Sequence, residues 1–363
     1  MSHFASRPKE RVVAAMSGGV DSAVAAGLLK EAGYEVIGVT MKMYEPSRPA
    51  HAKSCCGADD FDDARRSAAI LGIPHFVLDY TEQFARGVIK RFHDDYAQGR
   101  TPNPCISCNN FVKLGSLRRY AQSIGAEKIA TGHYARLLHR ADGPHLYRVA
   151  HPKDQSYALS GLRRDQLAAL LLPLGELSKP ETRAHAQRLG LTVHDKTESQ
   201  DICFVEGGDY RDLASLPSQE PGPFIEADGK SLGQHAGISH YTVGQRARIG
   251  GAPRARYVTR IDPSTNTITL GDLEDLDAPG LTAHTLNILQ PEFLAANPSV
   301  LAMIRSHAEP AAATASFHIA QDSLKLHFAK PQRAISPGQQ VALLDPATSE
   351  VLAAATIAGP AYP

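Results

Sequence analysis

The sequence predicts an α/β fold with an open, doubly wound parallel sheet in its first third, followed by a helical insert and two small β domains, the last of them barrel-like. Short apolar runs alternate with helical patterns as far as Thr131, and the pattern from about Leu162 to Leu189 is helical. After Pro217, short alternating strands are separated by turns rich in proline and glycine. Strands that alternate with helices of about 10–15 residues indicate parallel βαβ units, whose ligands lie at the carboxyl ends of the strands.

The individual elements follow from apolar periodicity and from turn residues. Strands are predicted at Arg11–Met16, Glu35–Met41, His75–Leu78, Lys128–Thr131, Tyr257–Ile261 and Thr267–Leu270, with β-rich sequence from Leu286 onward. Helices are predicted at Ser22–Ala32, Phe61–Leu71, Glu82–Tyr96 and Phe111–Ile124. Ser178 and Glu181 have capping-box spacing, and Pro180 is tolerated in the first turn of the helix that they begin. We expect domain segments over residues 1–160, 161–215, 216–280 and 281–363, with a boundary near Pro279-Gly280.

Composition excludes several protein classes. The 363 residues are 43% hydrophobic and 21% charged, as is usual for a globular protein of more than one domain. No apolar run approaches the ~18–20 residues that cross a bilayer, and Met1–Glu10 lacks the apolar core of a secretory signal. Five cysteines are too few, and odd in number, for a secreted disulfide scaffold. We therefore expect a cytoplasmic protein without membrane contact.

Charge is balanced overall but not locally. The formal net charge of zero argues against non-specific coating of nucleic acid. Between Val243 and Arg260, however, there are five arginines and no acidic residue: Arg246, Arg248, Arg254, Arg256 and Arg260. This Gly-rich segment is either a solvated turn or a surface that holds phosphates.

A glycine-rich string follows the first predicted strand and begins the first predicted helix. It reads Met16-Ser17-Gly18-Gly19-Val20-Asp21-Ser22. Glycines in this context let backbone N–H groups surround a phosphate at a helix N-terminus. Because the string lacks the lysine of a Walker A loop, it favours a loop that holds departing pyrophosphate over one for γ-phosphate transfer. The alternative is a Gly-Gly turn that only links strand to helix.

This string resembles the loop of the PP-loop ATP pyrophosphatases, of the adenine nucleotide α-hydrolase-like fold. The resemblance implies that ATP, with Mg²⁺, is bound by Ala15, Met16, Ser17, Gly18, Gly19, Val20, Asp21 and Ser22. It also implies that Met41, at the end of the second strand, and Gly132, after the fourth, lie beside the adenine and ribose.

Three cysteines are candidates for chemistry. Cys105 and Cys108 form a Cys-x-x-Cys after two prolines and just before a predicted helix, where a helix dipole stabilises a thiolate. Cys203 is flanked by polar residues, which favours an accessible thiol. A structural zinc site is an alternative for Cys105 and Cys108, although no second ligand pair follows at the required spacing. For Cys55 and Cys56 a buried apolar role or a surface loop is equally acceptable.

Over nearly its full length the chain resembles the MnmA-type tRNA 2-thiouridylases. Besides the phosphate loop, the matching strings are Pro102-Asn103-Pro104, Cys108-Asn109, Thr131-Gly132-His133-Tyr134, Lys153-Asp154-Gln155-Ser156-Tyr157, Glu198-Ser199-Gln200-Asp201-Ile202-Cys203 and Tyr241-Thr242-Val243-Gly244-Gln245-Arg246. The resemblance implies that ATP adenylates the 2-carbonyl oxygen of the wobble uridine in lysine, glutamate or glutamine tRNA. It further implies that Cys203 carries a persulfide from a sulfur-relay donor protein, with Cys108 as partner nucleophile. Sulfide release or a Cys108–Cys203 disulfide would end the step.

The same resemblance implies a set of tRNA contacts, and we separately expect a monomer. The contacts are His133, Lys153, Asp154, Gln155, Arg305, Ser306 and Gln339. One departure from the family pattern is Cys105, which stands where most members have an acidic residue after Pro-Asn-Pro. A thiol with an ordinary pKa of ~8.5 is no simple substitute for a carboxyl of ~3.9, so water or His133 would have to move the proton.

Cys105 also raises the hypothesis that Cys105, Cys108 and Cys203 ligate a [4Fe–4S] cluster. Two further readings of the whole chain stay open at this point. One is another PP-loop ligase, of the argininosuccinate- or amide-forming type, which uses an amine nucleophile and needs neither Cys108 nor Cys203. The other is a zinc-bearing RNA-binding module that only senses nucleotide.

Overall fold

The computed structural model describes residues 10–44, 58–197, 202–205, 220–249, 254–295, 298–306 and 308–362. Cys55, Cys56 and the Glu198–Asp201 part of the cysteine motif lie outside these ranges. The chain divides into two compact units. The first comprises Met1–Ala85, Cys108–Ser156 and Arg164–Gly208, and the second comprises Arg86–Ser107, Tyr157–Arg163 and Asp209–Pro363. No helix in the described ranges is long and apolar enough to cross a membrane.

The first unit contains the predicted parallel sheet. Its strands are β1 (Arg11–Ala15), β2 (Glu35–Lys42), β3 (His75–Asp79), β4 (Lys128–Ala130) and β7 (Leu170–Leu171), and a separate hairpin pairs β5 (Arg136–Arg140) with β6 (Gly143–Tyr147). The order of strands in the sheet is β3-β2-β1-β4-β7, and every neighbouring pair is parallel. The helices are α1 (Val20–Glu31), α2 (Ala58–Leu71), α3 (Thr81–Phe84), α6 (Arg118–Ser123), α8 (Arg164–Ala168) and α9 (Lys179–Arg188). The predicted doubly wound α/β class is confirmed.

The core of this unit explains its strand sequences. Both faces of a parallel sheet are covered, so its strands read as continuous apolar runs. Val12 and Val13 of β1 are fully buried, and Val24 and Ala26 of α1 pack in the same cluster as Val12. Strand order reverses between β1 and β4, and α1 starts at the carboxyl end of β1. This is the switch point at which open α/β sheets bind ligands.

Helix starts and ends show the largest departures from the predictions. A helix was predicted from Phe111, just after the cysteine pair, but helical structure begins at α5 (Pro104–Ser107) and continues as a π-helical segment, Cys108–Leu117, into α6. Pro104 suits the first helical position, and the Asn103 side chain accepts a hydrogen bond from the Ile106 amide at 3.3 Å. Both cysteines are therefore inside the helix, not ahead of it.

Two other helical predictions were only partly right. The predicted helix Glu82–Tyr96 is present as α3, a π-helical segment Ala85–Ile89 and α4 (Lys90–Ala97). The helical prediction for Leu162–Leu189 is confirmed for α8 and α9 but was wrong between them. Leu170–Leu171 pair with Ile129 and Ala130 as the edge strand β7, and residues 172–178 form turns and irregular structure. The capping box is confirmed: the Ser178 side chain accepts from the Glu181 amide, and the Glu181 carboxylate accepts from the Ser178 amide.

The second unit contains two β structures and the short helix α7 (Ser156–Leu159), which starts one residue before it. A five-stranded sheet has the order β10-β11-β12-β8-β9, with Phe224, Val258 and Ile268 in its core. A closed six-stranded barrel follows, and the predicted barrel-like end of the chain is confirmed. Pro279 and Gly280 lie within its first strand. The strands of the unit are β8 (Gly222–Ile225), β9 (Ser231–His235), β10 (Arg246–Ala247), β11 (Arg256–Asp262), β12 (Thr267–Gly271), β13 (Asp277–Ile288), β14 (Ser299–Met303), β15 (Ala311–His318), β16 (Ser323–Arg333), β17 (Gln340–Leu344) and β18 (Val351–Ala361).

Candidate active site

The loop between β1 and α1 is closed by its own serines. The Ser22 hydroxyl accepts a hydrogen bond from the Ser17 amide at 3.1 Å and donates to the Gly19 carbonyl, also at 3.1 Å. The two hydroxyl oxygens, Ser17 Oγ and Ser22 Oγ, are 3.3 Å apart. Gly19, the N-cap residue of α1, makes no side-chain cap. The first amides of α1 and its positive dipole end are thus arranged as in an anion-binding loop.

Two glycines allow close packing around this loop. Gly18 has φ +74°, and a Cβ there would lie 2.2 Å from the carbonyl oxygen of Asp60, in the first turn of α2. A Cβ on Gly132 would lie 2.8 Å from the amide nitrogen of Ser22. Gly132, predicted as part of the nucleotide site, is therefore in contact with the loop. The buried Met41 is the last residue but one of the neighbouring strand β2, so it lies at the same carboxyl edge of the sheet.

A lysine from α9 pairs with the acidic residue of the loop. Lys179 Nζ lies 2.8 and 2.9 Å from the two carboxylate oxygens of Asp21. The Tyr134 hydroxyl donates to the same carboxylate at 2.7 Å. The Lys179 side chain is only 13% exposed, so this pair is shielded from solvent more than a surface ion pair is. It places a cation beside the start of α1.

A second lysine bridges the loop and α2. Lys196 Nζ donates to the Gly18 carbonyl at 3.1 Å and lies 2.7 and 2.5 Å from carboxylate oxygens of Asp60 and Asp63. Burial alone would lower the pKa of Lys196, but the hydrogen bonds that its ammonium donates to Asp60 and Asp63, together with their negative charges, outweigh burial and raise that pKa. The ammonium stays charged and crosslinks the loop to α2.

The cysteines differ in exposure and in unit. Cys108 and Cys203 belong to the first unit, whereas Cys105 belongs to the second. Cys105 is exposed, Cys108 is buried with its sulfur 3.9 Å from that of Met43, and Cys203 is half-buried. The Cys203 carbonyl accepts a hydrogen bond from the Tyr44 hydroxyl, and the neighbouring Phe204 ring packs edge-on against Phe84. All three described cysteines are thiols.

His133 is held next to the loop as a neutral imidazole. Its Nδ1 is 2.7 Å from the hydroxyl oxygen of Thr131. Desolvation, with a smaller contribution from the charge of Lys113, holds the pKa of His133 well below its ordinary value. A neutral imidazole is a proton acceptor near pH 7, which suits a base better than an acid.

Three of the four predicted tRNA contacts of the first unit, Lys153, Asp154 and Gln155, lie in one turn, and His133 is the fourth. Lys153 and Gln155 are exposed there. The Asp154 carboxylate accepts from the Val149 amide at 2.9 Å and from the Ser156 hydroxyl at 2.7 Å, and burial raises the pKa of Asp154. The Gln155 side chain accepts from the Tyr134 amide at 3.0 Å. Asp154 and Gln155 thus shape the turn that presents Lys153.

The remaining predicted contacts belong to the barrel. Arg305 and Ser306 are exposed after β14, and Arg305 donates to the carbonyls of Arg333 and Ala334. The Gln339 amide donates to the carbonyl oxygens of Thr101 and Pro102 at 3.2 and 3.0 Å.

Some arginines of the segment between Val243 and Arg260 are neutralised by acidic partners from outside that segment. Arg254 pairs with Asp272, Arg256 with Glu226 and Asp272, and Arg260 with Asp262. Arg246 and Arg248 are exposed and, with Arg254, line an open cleft of about 730 Å³. These acidic partners are distant in sequence or follow the segment, so the segment alone could not reveal them.

The donor groups do not form a ready metal site. Across the described ranges, no group of three or more His, Cys, Asp or Glu side chains could hold a metal ion. The carboxylates nearest the loop are bonded to Lys179 and Lys196. An iron–sulfur cluster on Cys105, Cys108 and Cys203 therefore stays a prediction from the sequence.

Sequence patterns missed three residues of this site: Tyr134, Lys179 and Lys196. Tyr134 was named only as part of a string, and Lys179 and Lys196 were not singled out. Each reaches a partner that is distant in the chain, and one sequence holds no signal for such pairs. A basic residue at the start of a helix, where the dipole disfavours it, was the only local hint for Lys179.

A parallel sheet with a Ser-Gly-Gly-Val-Asp-Ser loop at its switch point defines a PP-loop protein, here extended by two β structures. Family models match all three parts. A tRNA methyl transferase HUP domain matches residues 10–207, a tRNA methyl transferase PRC-barrel domain residues 213–272, and an aminomethyltransferase β-barrel domain residues 279–357.

Relatives of similar length share this arrangement. The tRNA-specific 2-thiouridylase MnmA of Moorella thermoacetica is 46% identical over 337 residues, covering 90% of this chain and 94% of that protein. The MnmA of Carboxydothermus hydrogenoformans is 44% identical, covering 92% of this chain and 94% of that protein. The chain belongs to the MnmA family of tRNA-specific 2-thiouridylases.

Solved structures give a weaker likeness. A 4-thiouridine synthetase–RNA complex with bound ATP has a TM-score of 0.37 and 18% identity, covering 54% of this chain and 45% of that one. NMN synthetase from Francisella tularensis has a TM-score of 0.33 and 21% identity, covering 53% and 67%. These scores are too low to support a functional conclusion.

Proposed function

We propose that the protein replaces the 2-oxygen of the wobble uridine of lysine, glutamate and glutamine tRNAs with sulfur, at the expense of ATP. The observation that carries this proposal is the pairing, in one unit, of an anion-binding loop with two thiols, Cys108 and Cys203. The loop accounts for activation of the base and the thiols account for the replacement of oxygen.

In the first step the loop holds the phosphates of ATP. The uridine 2-oxygen attacks the α-phosphorus, pyrophosphate leaves, and the base loses the proton on N3. The first amides of α1 hold the departing pyrophosphate, and Lys179 adds a cation beside Asp21. Mg²⁺ enters with ATP as a counter-ion. The neutral His133, near the loop, accepts the N3 proton. Cys105 is not suited to this role, because its thiol has a much higher ordinary pKa than the carboxyl that most family members have at this position.

In the second step sulfur replaces the activated oxygen. The terminal sulfur of a persulfide on Cys203 attacks C2 of the base, and AMP leaves with the former carbonyl oxygen. The Cys108 thiolate then attacks Cys203 Sγ, breaking the sulfur–sulfur bond and leaving the thiocarbonyl on the base. The product is a Cys108–Cys203 disulfide, which an external thiol must reduce before the next turnover.

The RNA and protein partners follow from this chemistry. An anticodon base must be splayed out of its loop, with neighbouring phosphates held by cations. Lys153, Arg305, Arg246 and Arg248 are exposed cations suited to that task. Ser306, next to Arg305, completes the proposed contacts. A persulfide-carrying relay protein supplies the sulfur, the protein acts as a monomer, and the substrate fits the cytoplasmic location expected from the sequence.

RNA-dependent cleavage of ATP tests the adenylation step. Purified protein should release pyrophosphate and AMP from ATP when unmodified glutamate tRNA is added. The Cys203→Ser variant should do the same. An amine ligase would release pyrophosphate with an amine substrate and without tRNA. A module that only senses nucleotide would release none under any condition. Either result would contradict the proposal.

A further inference from the structure

One turn of the barrel contacts the chain just ahead of the cysteine pair. This barrel turn, residues 335–340, and the loop segment, residues 100–103, both belong to the second unit. The Thr101 amide donates to the Pro337 carbonyl at 2.7 Å. The Gln339 side-chain nitrogen donates to the carbonyls of Thr101 and Pro102, at 3.2 and 3.0 Å. Three hydrogen bonds therefore fix a segment without regular secondary structure to the barrel.

The approach of the two backbones requires Gly338. Its φ of +88° is unfavourable for other residues, and a Cβ there would lie 2.8 Å from Arg100 Cβ and 2.9 Å from the Thr101 carbonyl oxygen. A side chain at this position would separate the barrel turn from the loop segment.

A buried tyrosine extends the contact to the helix that contains Cys105. Tyr157 is 1% exposed, and its hydroxyl donates to the Gln340 carbonyl at 2.7 Å. The Asn103 side chain hydrogen-bonds to the same hydroxyl, whose pKa burial raises well above its ordinary value. Asn103 in turn accepts from the amides of Ile106 and Ser107. The barrel turn is thus linked through Asn103 to the first turn of the helix containing Cys105.

We propose that Gln339 and Gly338 are positioning residues: they set the conformation of the loop segment, and through Asn103 the start of the helix that leads to Cys108, before any RNA binds. Both amide hydrogens of Gln339 are directed at backbone carbonyls, which is the bonding expected of a residue that shapes a loop. The expected effect on kcat rests on the proposed function, because it assumes that these thiols react. The expected effect on the conformation of the loop segment does not depend on the proposed function.

Hydrogen exchange of the free protein, followed by mass spectrometry, separates positioning from RNA contact. Gln339→Met keeps the length of the side chain and removes both donors, and Gln321→Met is the matched control at an exposed position of the barrel. We expect amides of residues 100–107 to exchange about tenfold faster in both variants. Gln339→Met loses two hydrogen bonds, and the added Cβ of Gly338→Ala pushes the barrel turn away from the loop segment. Exchange of β14 amides should stay unchanged, which shows that the barrel is folded.

Kinetics of 2-thiouridine formation add the second readout. We expect kcat of Gln339→Met to fall about tenfold with the KM for tRNA changed by less than about twofold. If exchange in the free protein is unchanged, the positioning role is wrong, and a raised KM for tRNA would then make Gln339 an RNA contact only. If Gln339→Met does not fold, Gly338→Ala decides by the same exchange readout. If the native protein shows no thiolation activity, the proposed function is wrong. If the amides of residues 100–107 nevertheless exchange faster in the two variants, the positioning role still holds.

Discussion

Lys196 donates a hydrogen bond to the carbonyl oxygen of Gly18, so the chain that leads to Cys203 is joined to the phosphate loop by one side chain. The same ammonium pairs with Asp60 and Asp63. Arg183 donates to the Lys196 carbonyl at 3.0 Å and anchors the lysine from its backbone side. A single charged group therefore joins the loop, α2 and the chain at Lys196.

Replacing Lys196 by methionine should weaken both the fold and nucleotide binding. The change removes the ammonium shared by two mostly buried carboxylates beside the loop, Asp60 and Asp63, and Asp63 keeps its contact with Arg66 at 3.2 Å. We expect the free energy of unfolding to fall by about 1–3 kcal/mol. The KM for ATP should rise about tenfold, because the loss of one positive charge beside the loop strengthens the repulsion between these carboxylates and the phosphates. Urea unfolding and ATP-dependent pyrophosphate release measure the two effects.

The control for this variant is Lys90→Met. Lys90 pairs with Asp94 on the surface of α4, with a side chain 68% exposed, and should change stability by no more than about 0.5 kcal/mol. Equal effects of the two substitutions would show that Lys196 is an ordinary surface charge.

The Asp21–Lys179 pair should behave as one unit in nucleotide binding. Asp21→Asn and Lys179→Met each break a charge-assisted hydrogen bond, and each should raise the KM for ATP about 10-fold or more. Because the residues are in contact, the effect of the double variant should be smaller than the sum by at least about 1 kcal/mol.

An additive double variant would contradict that direct coupling. The comparison cycle combines Asp21→Asn with Lys128→Met, whose ammonium donates to the Ala168 carbonyl on the edge of the sheet. This second pair should be additive to within about 0.5 kcal/mol.

Burial of neutral His133 should make the fold less stable in mild acid. The pKa of His133 is lowered in the folded protein, so between its ordinary value near 6.5 and that lower value the unfolded chain binds a proton that the folded one does not. The free energy of unfolding therefore falls as pH falls, by at most about 1.4 kcal/mol per pH unit for this group. His133→Gln should lose less stability than the native protein between about pH 7.5 and about pH 5.5.

Urea midpoints at the two pH values measure this difference. The slope should not vanish in the variant, because burial also lowers the pKa values of His75, His93 and His235. His318→Gln, at an exposed position, should keep the native slope. A His133→Gln variant with the full native slope would show that the buried imidazole does not govern acid stability.

The parallel sheet was predictable because its signals are local. Apolar runs such as Val12–Ala14, separated by helical patterns, indicate βαβ units wherever they occur, and the Ser178 cap was readable from four residues. The start of the cysteine helix was missed because Asn103 and Pro104 were interpreted as loop residues. Leu170–Leu171 was missed because a two-residue strand gives no period.

The residues of the candidate site also fall into two groups, those that local sequence signals identify and those that they do not. The phosphate loop, Gly132 and the cysteines stand in short strings, so residue order alone identifies them. Lys179 and Lys196 act through carboxylates that only folding brings near, and Gln339 through carbonyls far away in the chain. Such contacts depend on tertiary structure, and one sequence does not encode them in any local pattern.

The most direct measurement is nucleoside mass spectrometry of unmodified lysine, glutamate or glutamine tRNA after incubation with the protein, ATP, Mg²⁺ and a persulfide donor. We predict 2-thiouridine at the wobble position with the native protein, its loss in Cys108→Ser and Cys203→Ser, and its retention in Ser123→Ala, an exposed control. Cleavage of ATP without any 2-thiouridine, under both aerobic and anaerobic conditions, would contradict sulfur transfer and favour a PP-loop ligase that uses an amine.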